Sequence, residues 1–215
     1  MALQRLLVGT YNQVPFGTGE GIYSVYFNID TGELLLDDVY KDCENPSWLV
    51  TKGKDLYVAC ELLEKGSLSR YKFKEERTLQ RLETRDFSGS LSCHLTLWPE
   101  NTWMTVSNYG SGSFTLIPIG ENGTLGKVEK TIQFSGSGPN AKRQEGPHTH
   151  SSYVSPDGRW LVVAELGIDR VMIYRIDPLE GTLIPGGSMP YWQAPAGSGP
   201  RHFAFNKEGN TLYIT

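Results

Sequence analysis

The side chains best suited to proton transfer lie close together in residues 143–150, which read Arg-Gln-Glu-Gly-Pro-His-Thr-His. His148 and His150 are two of only four histidines in the chain. Histidine titrates near neutral pH, so His150 can act as a base under ordinary conditions. Arg201 carries a fork of donors that suits a carboxylate, a phosphate or a developing oxyanion. The expected chemistry is therefore acid–base catalysis beside a fixed positive charge.

Strand-and-turn units recur along the chain with a period of about 45 to 55 residues, which is typical of a β-propeller. Matching the turns of successive units gives one equivalent position at the start of each first strand. That position is occupied by Ser47, Cys93, His150 and Arg201. Because the first strand of each blade lines the central channel, we expect these residues at one mouth of it. Alternation along a strand predicts that His94 and His202, one residue further on, point away and are structural.

The whole chain, residues 1–215, is predicted to form one all-β, partial propeller domain with about four blades. The expected blades are approximately 5–45, 46–91, 92–147 and 148–198, followed by an incomplete blade at 199–215. The last unit stops within an apolar strand, so we expect the N-terminal part of a longer propeller. An open strand edge of this kind predicts poor solubility or self-association.

Composition excludes several classes of protein. The formal net charge of −4 gives no basic field that would attract nucleic acid. The three cysteines form no CxxC pair, which argues against a disulfide framework and a zinc site. No signal peptide is recognised and no apolar run approaches the length of a membrane span. We expect a cytoplasmic protein with no cofactor and no membrane partner, and the sequence leaves its oligomeric state open.

Several motifs resemble those of one known family. They are Asn45-Pro-Ser-Trp, Ser107-Asn-Tyr-Gly-Ser-Gly-Ser, Gly138-Pro-Asn, Arg143-Gln-Glu-Gly-Pro-His, Ser155-Pro-Asp-Gly, Glu165-Leu-Gly-Ile-Asp-Arg and Gly199-Pro-Arg-His. In this order they resemble the seven-bladed lactonase family, the 6-phosphogluconolactonase-like proteins often described as 3-carboxymuconate cyclases. The resemblance implies a β-propeller of the lactonase type that opens a sugar δ-lactone to the acid without a metal, as part of the pentose phosphate pathway.

The resemblance also implies roles for particular residues. In the related fungal muconate cyclases the site is thought to combine a histidine, an arginine and a glutamate. By position the histidine is His150 and the arginine is Arg201, while the glutamate would fall beyond Thr215 and is not in this chain. The structural alternatives are a His150 bonded to backbone and an Arg201 paired with Glu61 or Glu165.

Further candidates lie beside this pair. His148 is expected to contact the substrate or to orient the neighbouring histidine, and Arg143 and Glu145 are expected to assist in binding. A solvated surface charge is the alternative for both of the latter. Asp169 and Arg170 are expected to form an internal salt bridge. A metal site built from the histidines is disfavoured, because no acidic pair supports one.

Three functions remain open at this point. The first is a metal-independent lactone hydrolase, a carboxylic ester hydrolase of the 6-phosphogluconolactonase type acting on a small-molecule lactone. The second is a carboxymuconate-type cycloisomerase on the same fold. The third is a non-catalytic propeller that serves as a binding platform.

Overall fold

A computed structural model describes residues 2–74 and 78–215 of the chain. The described residues form β-strands joined by turns, with two short 3₁₀ helices at Pro99–Asn101 and Leu166–Ile168. The strands are β1 Leu3–Gly9, β2 Ile22–Asn28, β3 Leu34–Tyr40, β4 Pro46–Lys52, β5 Asp55–Glu61, β6 Gly66–Lys74, β7 Thr78–Phe87, β8 Ser92–Leu97, β9 Trp103–Asn108, β10 Ser113–Pro118, β11 Lys130–Gln133, β12 Thr149–Val154, β13 Trp160–Glu165, β14 Arg170–Asp177, β15 Thr182–Pro185, β16 Tyr191–Gln193, β17 Phe203–Phe205 and β18 Leu212–Ile214. The predicted all-β class is confirmed. In this part of the chain no helix is long and apolar enough to cross a bilayer.

The strands form consecutive antiparallel sheets, each made from one continuous piece of chain. Their orders are β1-β2-β3, β4-β5-β6-β7, β8-β9-β10-β11, β12-β13-β14-β15 with β16 also on β14, and β17-β18. The second to fifth sheets lie within the ranges expected for blades, while the first sheet begins at Leu3, before its expected range. The first strands of neighbouring sheets, β4, β8 and β12, pack beside one another in chain order. The sheets are therefore arranged radially, as in a propeller.

Apolar side chains fill the space between successive sheets. β13 shows why these sequences form buried strands, because its alternate residues serve two different cores. Leu161 and Val163 pack in the cluster shared with the preceding sheet, around Phe114. Val162 and Ala164 pack in the cluster shared with the following sheet. A strand that is buried on both faces loses the polar positions of a half-exposed strand and becomes a continuous apolar run.

We expect Phe114→Ala to destabilise the protein strongly. The Phe114 ring is fully buried between two sheets and lies 5.6 Å from the ring of Tyr174. Removing it leaves a cavity that rigid strands on both sides cannot fill, so the free energy of unfolding should fall by about 3–5 kcal/mol. Leu179→Ala is the matched control, since Leu179 is 74% exposed and its loss should change stability by under about 0.5 kcal/mol. Urea denaturation measures both, and an equal effect of the two substitutions would contradict this packing.

Candidate functional site

The first strands of three neighbouring sheets, β4, β8 and β12, each begin with a β-bulge, an extra residue that the neighbouring strand does not pair. In β12 the extra residue is His150, between the paired residues Thr149 and Ser151. The corresponding extra residues are Ser47 in β4 and Cys93 in β8. A bulge bends the strand and re-aims its side chains. Here the bulges lie at one end of the inner strands, where they point into a common opening.

This opening is a cavity of about 530 Å³, a size that suits a small organic molecule. Its lining residues are Tyr11, Ser47, Trp48, Glu61, Cys93, Tyr109, Arg143, His150, Arg201 and His202. All four residues that the sequence repeat made equivalent are among them. Their predicted convergence at one mouth of the channel is therefore confirmed.

The rings of Trp48, His94, His150 and His202 lie against one another, and the position of His202 corrects one prediction. His202 does not point away: it lines the cavity, with its ring centroid 4.9 Å from that of His150 in an edge-on contact. Trp48 stacks on His202 at 5.9 Å, and the His94 ring lies 4.2 Å from Trp48. The expectation for His94 and His202 assumed strict alternation. Around His202 the Arg201 N–H donates to the Thr215 carbonyl oxygen, while the Thr215 N–H donates to the His202 carbonyl oxygen. Two consecutive residues thus lie opposite one residue, and strict alternation fails there.

Burial keeps the central imidazoles neutral. Desolvation lowers the pKa of His150 to about 3, and the positive charge of Arg201 and the nearby ring of His202 act in the same direction. Desolvation also lowers the pKa of His94 to about 3. The His150 Nδ1 atom has no hydrogen-bond partner in the described part of the chain. His150 therefore presents a neutral ring at physiological pH, with its Nδ1 atom buried.

Within residues 2–74 and 78–215, no group of three or more His, Cys, Asp or Glu side chains is placed to hold a metal ion.

Tyr11 and Glu61 form a hydrogen-bonded pair in the cavity wall, and the sequence did not predict this pairing. The Tyr11 hydroxyl donates to Glu61 Oε2 at 2.7 Å, and Glu61 is 8% exposed. Burial and this carboxylate raise the pKa of Tyr11, whereas the charge of Arg201 opposes the rise. The repeat offered one signal, because Glu61 ends β5 as Glu165 ends β13. Nothing in the pattern pointed to Tyr11, which lies in a loop.

His148 and Glu145 lie behind the wall rather than in it. His148 Nδ1 is 2.9 Å from the carbonyl oxygen of Tyr109, and its Nε2 is 3.1 Å from a Glu145 carboxylate oxygen. The His148 ring also stacks on the Tyr109 ring at 4.4 Å. Neither His148 nor Glu145 is among the residues that line the cavity. The contacts of His148 position Tyr109, which does line the cavity. The expected role of His148 and Glu145 in substrate binding stays a prediction.

Arg143 and Arg201 are both exposed and connect the main cavity to a smaller one beside it. The smaller cavity has a volume of about 230 Å³ and is lined by both guanidinium groups, by Gln144 and by residues 197–199. Both arginines therefore line the main cavity, which His150 also lines, and the smaller cavity beside it.

Asp169 holds the two loops that carry these arginines. Its carboxylate accepts hydrogen bonds from Gln144 Nε2 and the Gly197 N–H, each at 2.7 Å, and from the Gly199 N–H at 2.8 Å. The expected salt bridge between Asp169 and Arg170 is wrong. The Arg170 guanidinium instead lies over the Tyr191 ring, 4.3 Å from its centroid. Asp169 has a left-handed backbone, with φ 54°, that turns its side chain toward the loops.

Glu165 is a fully buried carboxyl group beside the His150 bulge. Its Oε1 accepts a hydrogen bond from the Thr149 hydroxyl at 3.2 Å, while Oε2 has no partner in the described residues. Burial raises the pKa of Glu165 to about 7, although the Thr149 hydrogen bond works in the opposite direction. The carboxyl group is therefore protonated in the folded protein at mildly acidic pH.

Comparison with known proteins identifies the fold. The family model for "Lactonase, 7-bladed beta-propeller" matches residues 5–215. The chain is 32% identical to 6-phosphogluconolactonase of Bacillus subtilis, over 96% of this chain and 58% of that protein. It is 28% identical to 6-phosphogluconolactonase of Formosa agariphila, over 97% of this chain and 60% of the relative. The structure of the Pseudomonas aeruginosa periplasmic gluconolactonase PpgL superposes with a TM-score of 0.89 at 29% identity, covering 100% of this chain and 61% of PpgL.

We expect Glu165→Gln to change the pH dependence of stability in a defined direction. Below pH 4.5 the Glu165 carboxyl group is protonated in both the folded and the unfolded state. Above pH 4.5 the unfolded state ionises first, so the contribution of this group to the free energy of unfolding falls until the folded state also ionises, at about pH 7. Relative to wild type, the glutamine variant should therefore gain about 2–3 kcal/mol between pH 5 and pH 8.

The difference between the two unfolding curves isolates this group from the buried histidines. Glu121→Gln, at an exposed position, is the matched control and should show no such gain. A constant difference between wild type and Glu165→Gln across this pH range would contradict the buried, protonated state.

Proposed function

Because the chain belongs to the lactonase family of seven-bladed β-propellers, we propose that it acts as a metal-independent lactone hydrolase. The substrate would be a sugar δ-lactone such as 6-phosphogluconolactone, opened to its acid. The chain spans 58% of the length of the Bacillus subtilis relative, which is named a 6-phosphogluconolactonase. The observation that carries the proposal is the cavity in which the neutral ring of His150 lies beside the charged Arg201.

Lactone hydrolysis needs a base for water and a positive group for the oxyanion. In the proposed reaction the neutral His150 ring accepts the proton of a water molecule as the water oxygen attacks the lactone carbonyl. Negative charge develops on the carbonyl oxygen, where Arg201 stabilises it. When the tetrahedral intermediate collapses, the ring C–O bond breaks and the imidazolium returns its proton to the leaving alkoxide. The product is the open hydroxy acid, and His150 is neutral again.

Because the pKa of His150 is low, its strength as a base depends on whether the substrate is bound. In the empty cavity the ring is neutral but holds a proton weakly, partly because Arg201 repels the added charge. An anionic substrate group near Arg201 would offset that repulsion and raise the proton affinity of the ring. The base would thus become stronger when the substrate is bound.

Arg143 and Arg201 would bind the phosphate group of the substrate. Arg143 and Arg201 line both cavities, so a phosphate between them would leave the lactone ring facing His150. His148 and Glu145 would assist by holding Tyr109 in the wall. A cytoplasmic location and a place in the pentose phosphate pathway stay predictions.

The test is hydrolysis of fresh 6-phosphoglucono-δ-lactone with the spontaneous rate subtracted. We expect His150→Ala to lower kcat by about 10²-fold or more, since proton transfer contributes on that scale. Arg201→Ala should raise KM and lower kcat together, because the same charge binds substrate and stabilises the oxyanion. Arg159→Ala, at an exposed turn outside the cavity lining, is the matched control and should leave both constants unchanged.

Circular dichroism checks that each variant is folded. Full activity in His150→Ala would overturn the role of the base. A wild-type chain that opens no lactone but isomerises a carboxymuconate would favour the cycloisomerase, and a chain inactive on both would favour a binding platform.

A further inference from the structure

Two buried cysteines lie together in a part of the molecule that the proposed reaction does not use. Cys43 is in the segment that joins β3 to β4, and Cys60 is in β5 of the following sheet. Their Sγ atoms are 2.8 Å apart, and the residues are 2% and 4% exposed. Both are free thiols. A disulfide needs an S–S distance of about 2.05 Å, so a small side-chain movement would join them.

A cavity of about 180 Å³ reaches both sulfur atoms from the surface. Its lining includes the exposed cations Lys65 and Arg81, which pair with Asp86 and Asp42 of the same lining. The lining also contains Ser69, whose hydroxyl oxygen is 3.5 Å from Cys60 Sγ. The Ser69 hydroxyl and the charge of Arg81 favour the thiolate of Cys60, which is the reactive form, whereas burial opposes it. This opening admits a molecule as small as hydrogen peroxide.

The two thiols are not equivalent. The hydrogen bond from Cys43 lowers the pKa of Cys60 and correspondingly raises that of Cys43, with burial adding to the rise. Cys60 is therefore the sulfur better suited to attack, and Cys43 the one placed to resolve the product. Cys93 is apart from this pair, since its Sγ donates to the His150 carbonyl oxygen at 3.2 Å.

We propose that Cys43 and Cys60 form a peroxide-reactive dithiol site, which oxidation converts to a disulfide linking the β3–β4 segment to β5. The Cys60 sulfur attacks one peroxide oxygen, the O–O bond breaks, and a sulfenic acid and one water molecule result. The Cys43 sulfur then attacks the sulfenic sulfur and releases a second water molecule. In total two thiols lose two hydrogen atoms to one hydrogen peroxide, and a thiol reductant reverses the change.

The cross-link would constrain a segment that matters to the cavity. It closes a loop that contains Asn45, whose side chain accepts from the backbone N–H of Asn12, and the bulge residues Ser47 and Trp48. Closing a loop of about 16 residues restricts the unfolded chain and stabilises the fold. Oxidation is therefore expected to make the protein more resistant to heat.

The test treats the wild-type protein with hydrogen peroxide, then alkylates it under denaturing conditions and measures its intact mass. We expect two of the three cysteines to become unreactive, with a loss of about 2 Da before alkylation and full recovery after dithiothreitol. The melting temperature should rise by about 5–10 °C on oxidation.

Three single variants locate the change. Cys93→Ser should oxidise like wild type, whereas Cys43→Ser and Cys60→Ser should show neither the internal mass loss nor the thermal shift. The proposal fails if all three wild-type cysteines stay alkylatable after peroxide, or if peptide mapping places the bond at Cys93. Because the wild-type measurements decide the question, poor folding of a serine variant would not obscure the answer.

Discussion

The site depends on one extra residue at the start of each of the inner strands β4, β8 and β12. A regular strand sends successive side chains to opposite faces, so it can offer only every second residue to the channel. The bulges at Ser47, Cys93 and His150 interrupt this alternation only at the start of their strands, where the strands meet the cavity. Below the mouth the strands return to regular pairing and support the cores. The same strand can therefore carry polar groups at one end and apolar packing along the rest.

Burial then determines which polar groups keep their charge. Imidazoles and a carboxyl group that lie inside the wall are pushed toward their neutral forms, as the pKa values of His150 and Glu165 show. The guanidinium groups of Arg143 and Arg201 are exposed at the rim. The result is a pair of cationic groups beside neutral imidazoles and the Tyr11–Glu61 pair, and the exposed cations favour an anionic ligand. A phosphorylated sugar lactone is such a ligand.

Sequence alone predicted the all-β class and the equivalence of Cys93, His150 and Arg201, because hairpin turns recur at regular intervals and give the register. It failed where the register itself changes. Arg201 and His202 both bond to the single residue Thr215, and this local change leaves no mark on the pattern of apolar residues, so the predicted direction of His202 was wrong. The proximity of Cys43 and Cys60 was also beyond reach, since it arises where one sheet packs on the next. Contacts of this kind depend on how the sheets pack together and not on local pattern.

The most direct test of the central claim is nuclear magnetic resonance of the four histidine rings, since four histidines give four imidazole Cε1–H signals. Added 6-phosphogluconate, the product of the proposed reaction, should occupy the cavity. We predict that the signals of His150 and His202, whose side chains line it, will shift with a common saturable affinity. The signal of His148, behind the wall, should move least. No shift at His150, or a shift confined to His148, would contradict the account.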